Sequence, residues 1–256
     1  MSETPINAAA GDPLFGFHAV QSLLKTRPEN ALELLVCKGR RDQRLQKTIA
    51  LAERNQVPVL RLTRAELDRY AAWERHQGCV LKASKARIYD ERWVLEYLAT
   101  LEQPPLVLVL DGLTDPHNLG ACLRSADAAG AHAVIAPRDK SVGLTPVVRK
   151  VSCGAAERLP FVLVTNLCRV LEKLRQAGLW VLGAASDAEQ TLCEVDLRPP
   201  SVIVMGSEER GLRRLTREHC DHLARIPMQG ATESLNVSVA TGILLFEAVR
   251  QRNGGG

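Results

Sequence analysis

The sequence predicts an α/β protein with a small front domain and a larger, mostly parallel sheet flanked by helices. Apolar segments of strand length alternate along the chain with amphipathic segments of helical period. Continuous apolar runs such as Leu106–Leu110 and Val202–Met205 are typical of strands buried on both faces. With 256 residues, 46% of them apolar, the chain is long enough to bury a sizeable core in each domain.

The front domain is predicted over residues 13–84, after a loose tail at residues 1–12. Its predicted elements are a short helix ending near residue 24, strands at 31–37, 57–60 and 79–81, and helices at 42–55 and from Thr63. Thr63 and Glu66 have the spacing of a capping box. Residues 85–105 are predicted to be a linker with a helical segment around Trp93 and Tyr97.

The larger domain is predicted over residues 106–252, followed by a loose tail at 253–256. Its predicted strands are 106–110, 133–136, 161–164, 179–182, 201–205 and a run near 223–226. Four helices are expected. One begins at Asn118, one runs from Thr145 to about Ala156, one ends at Ala177, and one runs from Val237 to about Arg252. Asn118 is the expected cap of its helix, and Ser234 or Asn236 that of the last one.

The net charge of +4 is unevenly distributed. Residues 1–87 carry 15 Lys and Arg against 9 Asp and Glu, whereas the remainder carries 18 against 20. Such a basic front segment fits a module that binds a polyanion, although a solvated helix face explains it equally well. The candidate RNA-binding residues are Arg40, Arg41, Arg44 and Lys47.

Several other classes of protein are disfavoured. The apolar runs are too short to span a membrane, and the N-terminus lacks a basic and apolar leader, so a cytoplasmic protein without membrane contact is expected. Seven cysteines without a CxxC pair argue against a disulfide framework or a zinc site. His219 and His222 lie one helical turn apart, but a polar helix end explains them better than a metal site. We therefore expect no metal.

The usual nucleotide fingerprints are also missing. The loop at residues 111–120 contains no GxGxxG, and the chain has no GxSxG elbow. Gly206 and Gly211 have P-loop spacing, but Leu212 and Arg213 follow them where a P-loop has Lys and Ser or Thr. A conventional dehydrogenase, kinase or hydrolase is therefore disfavoured.

Three strand-to-helix turns remain as candidates for a site. The first carries Asn118 and Arg124, the second Glu208, and the third Ser234 and Asn236. Taken alone, each turn is better explained by a cap, a tight turn or a solvated side chain. Because ligands of open α/β sheets bind beyond the carboxyl ends of the strands, the three turns are expected to meet there.

Taken together, the three turns resemble the SPOUT class of methyltransferases, in its TrmH-like ribose 2′-O-methyltransferase branch. The matching motifs are Asp115-Pro-x-Asn-x-Gly-x-x-x-Arg124, Met205-Gly-Ser-Glu-x-x-Gly-Leu212, Ile226-Pro-Met228, and Ser234-Leu-Asn-Val-Ser-Val-Ala240. The resemblance implies a trefoil-knotted region, S-adenosyl-L-methionine bound in the knot as methyl donor, and a homodimer.

The front domain, with Gly16-x-His-Ala-Val20 at its start, resembles a ribosomal-protein-like RNA-binding domain. It is similar to the front domain of bacterial enzymes that methylate a guanosine ribose in the peptidyl-transferase region of 23S ribosomal RNA. That reaction is therefore the expected function. Transfer RNA as substrate, or a catalytically silent RNA-binding protein of the same fold, are the alternatives.

The resemblance also assigns roles to individual residues. The implied catalytic positions are Asn118, Arg124, Glu208, Ser234 and Asn236. The implied methyl-donor contacts are Gly206, Ile226 and Leu235, with Met205 and Ser234 nearby. Since a guanidinium stays protonated far above pH 7, we expect Arg124 to fix a phosphate and stabilise alkoxide charge while Glu208 or water assists proton loss.

Overall fold

The computed structural model describes residues 11–40, 42–71, 76–208, 210–232 and 234–254. It forms two compact units. The first comprises the described residues up to Ala86 together with Leu144–Arg158, and the second comprises Arg87–Gly143 and the described residues from Leu159 onward.

The helices and strands are numbered in chain order. The strands are β1 Asp12–Phe15, β2 Ala31–Cys37, β3 Val59–Leu62, β4 Cys79–Ala83, β5 Ile88–Tyr89, β6 Leu106–Leu110, β7 Ala133–Pro137, β8 Phe161–Val164, β9 Trp180–Ala184, β10 Gln190–Thr191, β11 Ser201–Met205 and β12 His222–Arg225. The helices are α1 Phe17–Thr26, α2 Gln43–Arg54, α3 Arg64–Tyr70, α4 Glu91–Ala99, α5 Pro116–Ala128, α6 Pro146–Val151, α7 Ala155–Arg158, α8 Leu167–Gln176, α9 Arg214–Glu218 and α10 Val237–Arg252.

The first unit contains a mixed sheet with the strand order β1-β4-β2-β3 in its described part. Strands β1 and β2 run antiparallel to β4, and β3 runs parallel to β2. Helices α1 and α2 cover a core that includes Leu23, Leu34 and Ile49. Asp42 caps α2, and the predicted capping box of Thr63 and Glu66 is present at α3. The small α/β front domain is therefore confirmed.

Two predictions for this unit need correction. Residues 12–15 were expected to be tail and loop but form β1, an edge strand whose Phe15 pairs with Val80. Pro13 has no backbone N–H to donate, which only an edge strand tolerates. The proline also makes this strand difficult to predict from the sequence. The strand predicted at residues 57–60 is β3, two residues further along the chain.

Leu144–Arg158 forms two helices in place of the single predicted helix. Pro146 is at the first position of α6 as expected, but the chain turns between α6 and α7, where Cys153 and Gly154 have φ of 52° and 92°. Ser22 Oγ donates to the Gly154 carbonyl at 3.2 Å within the first unit. A Cβ at Gly154 would lie 2.3 Å from that of Ser22, so only glycine permits this approach. The predicted boundaries had placed this segment in the second domain.

The second unit contains a sheet with the order β10-β12-β9-β11-β6-β7-β8-β5 among the described residues. All of these neighbouring strands pair in parallel, which confirms the mostly parallel sheet. The predicted linker contributes to it, because β5 pairs with β8 and α4 buries Val94 and Leu98 in the core. A stack of Tyr89, Trp93 and Tyr97 covers that core.

The last helix, α10, has the predicted bounds and packs against α5 in the second unit. At its carboxyl end Arg252 donates to the carbonyls of Leu197 at 2.9 Å, Pro104 at 2.8 Å and Pro199 at 2.7 Å. These carbonyls precede β6 and β11, so α10 is attached to the amino edge of the sheet while its first turn reaches the opposite edge. The trefoil knot stays a prediction, since strand pairing alone does not define it.

No helix in the described part of the chain combines the length and the apolar character needed to cross a membrane.

Candidate active site

The first loop of the site follows β6 and enters α5. The N-cap of α5 is Asp115, whose side chain accepts from the backbone N–H of Asn118 at 2.7 Å. Pro116 occupies the first helical position, which suits its fixed φ and missing N–H. The prediction that Asn118 caps this helix is therefore wrong. Asn118 lies in the first turn, and its amide is available to other loops.

The second loop follows β11 and is held by close backbone contacts. Ser207 N donates to the Gly211 carbonyl at 3.1 Å, and Gly211 N donates to the Ser207 carbonyl at 2.9 Å. A Cβ at Gly206 would lie 2.0 Å from the carbonyl carbon of Gly211. The chain can fold back here only because Gly206 has no side chain.

The third loop leads into α10. Asn236 is its N-cap, with a side-chain oxygen that accepts from Ser238 N at 2.9 Å, as one of the two predicted alternatives stated. The amide nitrogen of the same side chain is not used by this cap. Its Nδ2 donates to Asn118 Oδ1 at 3.0 Å and to Glu208 Oε1 at 2.6 Å.

These contacts join the three loops in one polar cluster of Asn118, Glu208 and Asn236. Asn118 Nδ2 also donates to Glu208 Oε1 at 3.1 Å, and the backbone N–H of Val237 does so at 3.4 Å. Three donors thus converge on one carboxylate oxygen. Among the described residues, the other oxygen, Oε2, has no such partner. The cluster holds a carboxylate in a fixed orientation with one oxygen available.

A cavity adjoins the polar cluster beyond the carboxyl ends of β9, β11 and β12, and we call it the donor pocket. All the positions expected to contact a methyl donor line it: Met205, Gly206, Ile226, Ser234 and Leu235. Glu208 is also part of its wall. The sequence prediction missed Ala184, the last residue of β9, and Ala185 and Ser186, which follow it; these three complete the wall. The only available signal was that β9 ends in the same sheet.

A second cavity, which we call the acceptor-side cavity, lies beyond the carboxyl ends of β11, β6 and β7. Its lining includes Asp111 to Asp115, Lys140, Ser207, Glu208, Arg210 and Arg213. Ser207 and Glu208 therefore form a partition between the two cavities. Of these lining residues, only Glu208 was a predicted site residue. Lys140, Arg210 and Arg213 are scattered along the sequence and carry no shared motif.

Asp111 and Arg213 connect the loops that follow β6 and β11. The Asp111 side chain is fully buried, and its Oδ1 accepts from Arg213 Nε at 2.6 Å. This hydrogen bond raises the pKa of Arg213. A buried carboxylate needs such a partner, and removal of either member would leave an uncompensated charge. The pair therefore holds the wall of the acceptor-side cavity in place.

Arg124 does not join the polar cluster. It lies six residues after Asn118 on α5, which amounts to about 9 Å along the helix and about 240° of rotation. Its side chain is exposed, on the side of α5 away from the buried Leu119 and Leu123. Ser234 lines the donor pocket without a hydrogen bond to the cluster among the described residues.

Cys122 lies on α5 and contacts α10, with its Sγ 3.5 Å from Thr241 Oγ1. Burial raises the pKa of the Cys122 thiol to about 11. The thiol therefore stays protonated at neutral pH and acts as a packing residue, not a nucleophile.

Comparison with known proteins assigns the chain to a family. Residues 105–246, more than half of the chain, match the SpoU rRNA Methylase family. The chain belongs to this family. The resemblance to the TrmH-like SPOUT methyltransferases is thereby confirmed, and so is the predicted fold class apart from its knot.

The front of this SpoU family member also has a match of its own. Residues 13–89 match a family described as RNA 2′-O ribose methyltransferase substrate binding. A protein of Pseudomonas putida named 23S rRNA (guanosine-2′-O-)-methyltransferase RlmB is 56% identical, over 94% of this chain and 97% of its own.

Two solved structures extend the comparison. A crystal structure of an RNA 2′-O ribose methyltransferase is 32% identical, with a TM-score of 0.77, over 94% of this chain and 88% of its own. A TrmH/SpoU tRNA modifying enzyme of A. aeolicus is 28% identical, with a TM-score of 0.54, over 64% of this chain and 85% of its own.

The candidate RNA-binding residues of this SpoU family member differ in their surroundings. Arg40 is held by an ion pair with Asp42 and by a 2.6 Å hydrogen bond to the Gln77 carbonyl. Arg44 and Lys47 are exposed on α2, one turn apart. Arg41 lies outside the described residues. Only Arg44 and Lys47 therefore present a described basic face.

His219 and His222 have separate partners. His219 Nδ1 lies 2.8 Å from the Leu215 carbonyl oxygen, whereas the His222 ring packs on Trp180 with centroids 5.5 Å apart. The described residues contain no group of three or more His, Cys, Asp or Glu side chains that could hold a metal ion.

Proposed function

We propose that this protein transfers a methyl group from S-adenosylmethionine to the ribose 2′-hydroxyl of a guanosine in 23S ribosomal RNA. The observation that carries the proposal is the position of Glu208. Its carboxylate is fixed by Asn118 and Asn236 and lies in the partition between two cavities. A transfer between two substrates needs a group of this kind at the point where they meet.

The donor pocket fits S-adenosylmethionine. The side chains of Met205, Ile226 and Leu235 give it apolar walls suited to an adenine ring. The lack of a side chain at Gly206 leaves the backbone of the second loop open to a close approach. When bound, S-adenosylmethionine supplies an electrophilic methyl group.

The polar cluster supplies the group that accepts the proton of the attacking hydroxyl. An alcohol is a weak nucleophile at neutral pH, so the 2′-oxygen must lose its proton as it attacks. Glu208 Oε2 accepts that proton, while Asn118 and Asn236 hold Oε1 and keep the carboxylate in place. Ser234 orients the donor at the wall of its pocket.

The protein acts as a homodimer, with Arg124 supplied by the second copy. Support comes from α10, which exposes Val239, Ile243 and Phe246 at fractions of 51%, 38% and 49%. They are spaced four and three residues apart and so form one apolar stripe on α10, the helix that packs against α5. A two-fold contact through this stripe would bring the Arg124 of one copy toward the other copy. There its guanidinium fixes a phosphate and stabilises developing alkoxide charge.

A complementation experiment tests the origin of Arg124. Chains carrying Arg124→Ala and Glu208→Gln are each expected to form inactive homodimers. In a mixed dimer, one site combines the intact Glu208 of one chain with the intact Arg124 of the other. Mixed dimers, isolated with two affinity tags, should therefore regain about half of the wild-type activity. Inactive mixed dimers would mean that each site uses its own Arg124.

The stripe itself is tested by Phe246→Glu. A carboxylate buried in an apolar contact would be unpaired, so the variant should sediment as a single chain of 28.0 kDa and lose methyl transfer. Leu60→Glu is the matched control, since Leu60 is 43% exposed on β3 of the first unit. A variant at Phe246 that sediments like the wild type would contradict the proposed interface.

Ribosomal RNA is favoured over transfer RNA because of the front domain. The relative named for 23S rRNA aligns over 94% of this chain, whereas the tRNA modifying enzyme covers 64%. The intact cluster of Asn118, Glu208 and Asn236 argues against a catalytically silent protein. In the front domain, Arg44 and Lys47 contact the RNA, whereas Arg40 is engaged by Asp42 and the Gln77 carbonyl and Arg41 stays a sequence prediction. The place of action is the cytoplasm, where bacterial ribosomes are assembled.

Mass-spectrometric mapping of ribose methylation tests the function. Ribosomal RNA from cells without the protein should lack a methyl group on one guanosine of 23S RNA, and expression of the wild type should restore it. Expression of Glu208→Gln is the control, because it shows whether RNA binding without catalysis is enough to restore the methyl group. Unchanged ribosomal RNA with a lost methyl group on transfer RNA would support the tRNA alternative.

A further inference from the structure

The acceptor-side cavity has no assigned ligand, although it borders the donor pocket through Glu208. Its walls come from the loops after three adjacent strands, β6, β7 and β11. The backbone N–H of Val142 donates to the Leu113 carbonyl at 3.0 Å, which fastens the loop after β7 to the loop after β6. Asp111 and Arg213 fasten the loop after β6 to the loop after β11. The cavity is therefore a built feature of the sheet edge.

The charges of this cavity are unequally compensated. Arg213 is neutralised by the buried Asp111, and the carboxylates of Asp115 and Glu208 accept hydrogen bonds from backbone or amide groups. By contrast, neither Lys140 nor Arg210 forms an ion pair with any residue that the structure describes.

This lack of partners contrasts with four other arginines of the same unit. Arg92, Arg198, Arg214 and Arg217 each pair with a carboxylate at 2.5 to 2.8 Å. The acceptor-side cavity thus presents two cations without a described counter-charge, next to the Glu208 carboxylate, which also lines the donor pocket.

The position of Lys140 is fixed by its backbone. Its φ is +59°, a left-handed conformation that lysine seldom adopts and that persists only where the surroundings impose it. The Lys140 carbonyl oxygen would lie 3.9 Å from a Cβ at Gly112, so the two loops are in contact at this point. The Lys140 side chain, which carries the ammonium group, therefore extends from a rigidly held backbone at the rim of the cavity.

We propose that the acceptor-side cavity holds the target nucleotide of the RNA, with Lys140 and Arg210 bound to the phosphates on either side of it. The proposal rests on the proposed function, because it assigns the second substrate of the same site. Phosphate contacts fix the register of an RNA strand without reading its sequence. Here they would bring one 2′-hydroxyl to Glu208 and the donor pocket.

The salt dependence of RNA binding tests the proposal. The probe is an unmodified 23S RNA transcript, bound by wild type, Lys140→Gln, Arg210→Gln and the double variant at several salt concentrations. Each lost phosphate contact should weaken binding roughly threefold to tenfold and reduce the slope of log K against log salt by about 0.7. Arg92→Gln removes the same charge from α4, outside the cavity, and should leave the slope unchanged. Calorimetry with S-adenosylmethionine should give the wild-type affinity for every variant.

Charge-retaining variants separate a phosphate contact from a structural role. Lys140→Arg and Arg210→Lys should keep the wild-type slope, since a phosphate needs a cation and either side chain supplies one. In methyl transfer, the Gln variants should raise KM for the transcript and leave kcat within about twofold of wild type.

The outcomes distinguish this proposal from the proposed function. A double variant that binds the transcript with the wild-type affinity and slope would overturn the assignment of the cavity, even if the wild type methylates RNA. Reduced slopes in the Gln variants with no methyl transfer by the wild type would support the RNA contact and overturn the proposed reaction.

Discussion

Replacement of Gly206 with alanine is expected to reduce the affinity for S-adenosylmethionine about 100-fold, or about 2.7 kcal/mol of binding free energy. The added Cβ would lie 2.0 Å from the Gly211 carbonyl carbon and 2.3 Å from its oxygen. Both atoms belong to the backbone, so no side-chain rotation relieves the clash. The loop after β11 must move, and it forms one wall of the donor pocket. Overpacking of this kind also lowers the free energy of unfolding by about 1–3 kcal/mol.

Isothermal calorimetry and thermal unfolding measure the two effects separately. Gly230→Ala is the matched control, since it makes the same chemical change in the loop after β12, where a Cβ would meet no atom within 4 Å. The control should bind the donor like the wild type. Wild-type donor affinity in Gly206→Ala would show that the loop adapts and that this wall does not shape the pocket.

Replacement of Glu208 with glutamine is expected to lower the single-turnover rate about 10²- to 10⁴-fold, the usual contribution of a general base. The side chain keeps its shape, and its remaining oxygen can still accept from Asn118 and Asn236. Donor affinity and the free energy of unfolding should therefore change little. What is lost is the negative charge that receives the proton of the 2′-hydroxyl.

The rate is measured with saturating donor and RNA transcript, so that binding does not limit it. Glu172→Gln serves as the control, because Glu172 is an exposed carboxylate on α8 that pairs with Arg175. If Glu208→Gln turned over at close to the wild-type rate, water rather than Glu208 would accept the proton. If the Glu208→Gln variant also lost donor binding, the main role of Glu208 would be to bind the donor and not to act as a general base.

Local sequence signals predicted the elements that carry the site. The bounds of β6, β8, β11 and α10 follow from apolar runs and helical spacing bordered by polar turns. Asn236 was among the predicted caps because an N-cap depends on the residue and its immediate neighbours. At α5 the same reasoning failed, since Asp115 and Asn118 both suit a cap and only the fold shows which of them occupies that position.

By itself, then, the sequence determined that this is a two-part α/β chain, and its three linked motifs determined the family. The tertiary structure decided how the motifs work together. Asn118 lies 90 residues before Glu208 and 118 before Asn236, yet all three share hydrogen bonds. The structure also decided that Leu144–Arg158 groups with the front unit and that Lys140 and Arg210 line one cavity. Period, caps and turns are local properties of a chain, whereas these contacts depend on which strands become neighbours in the sheet.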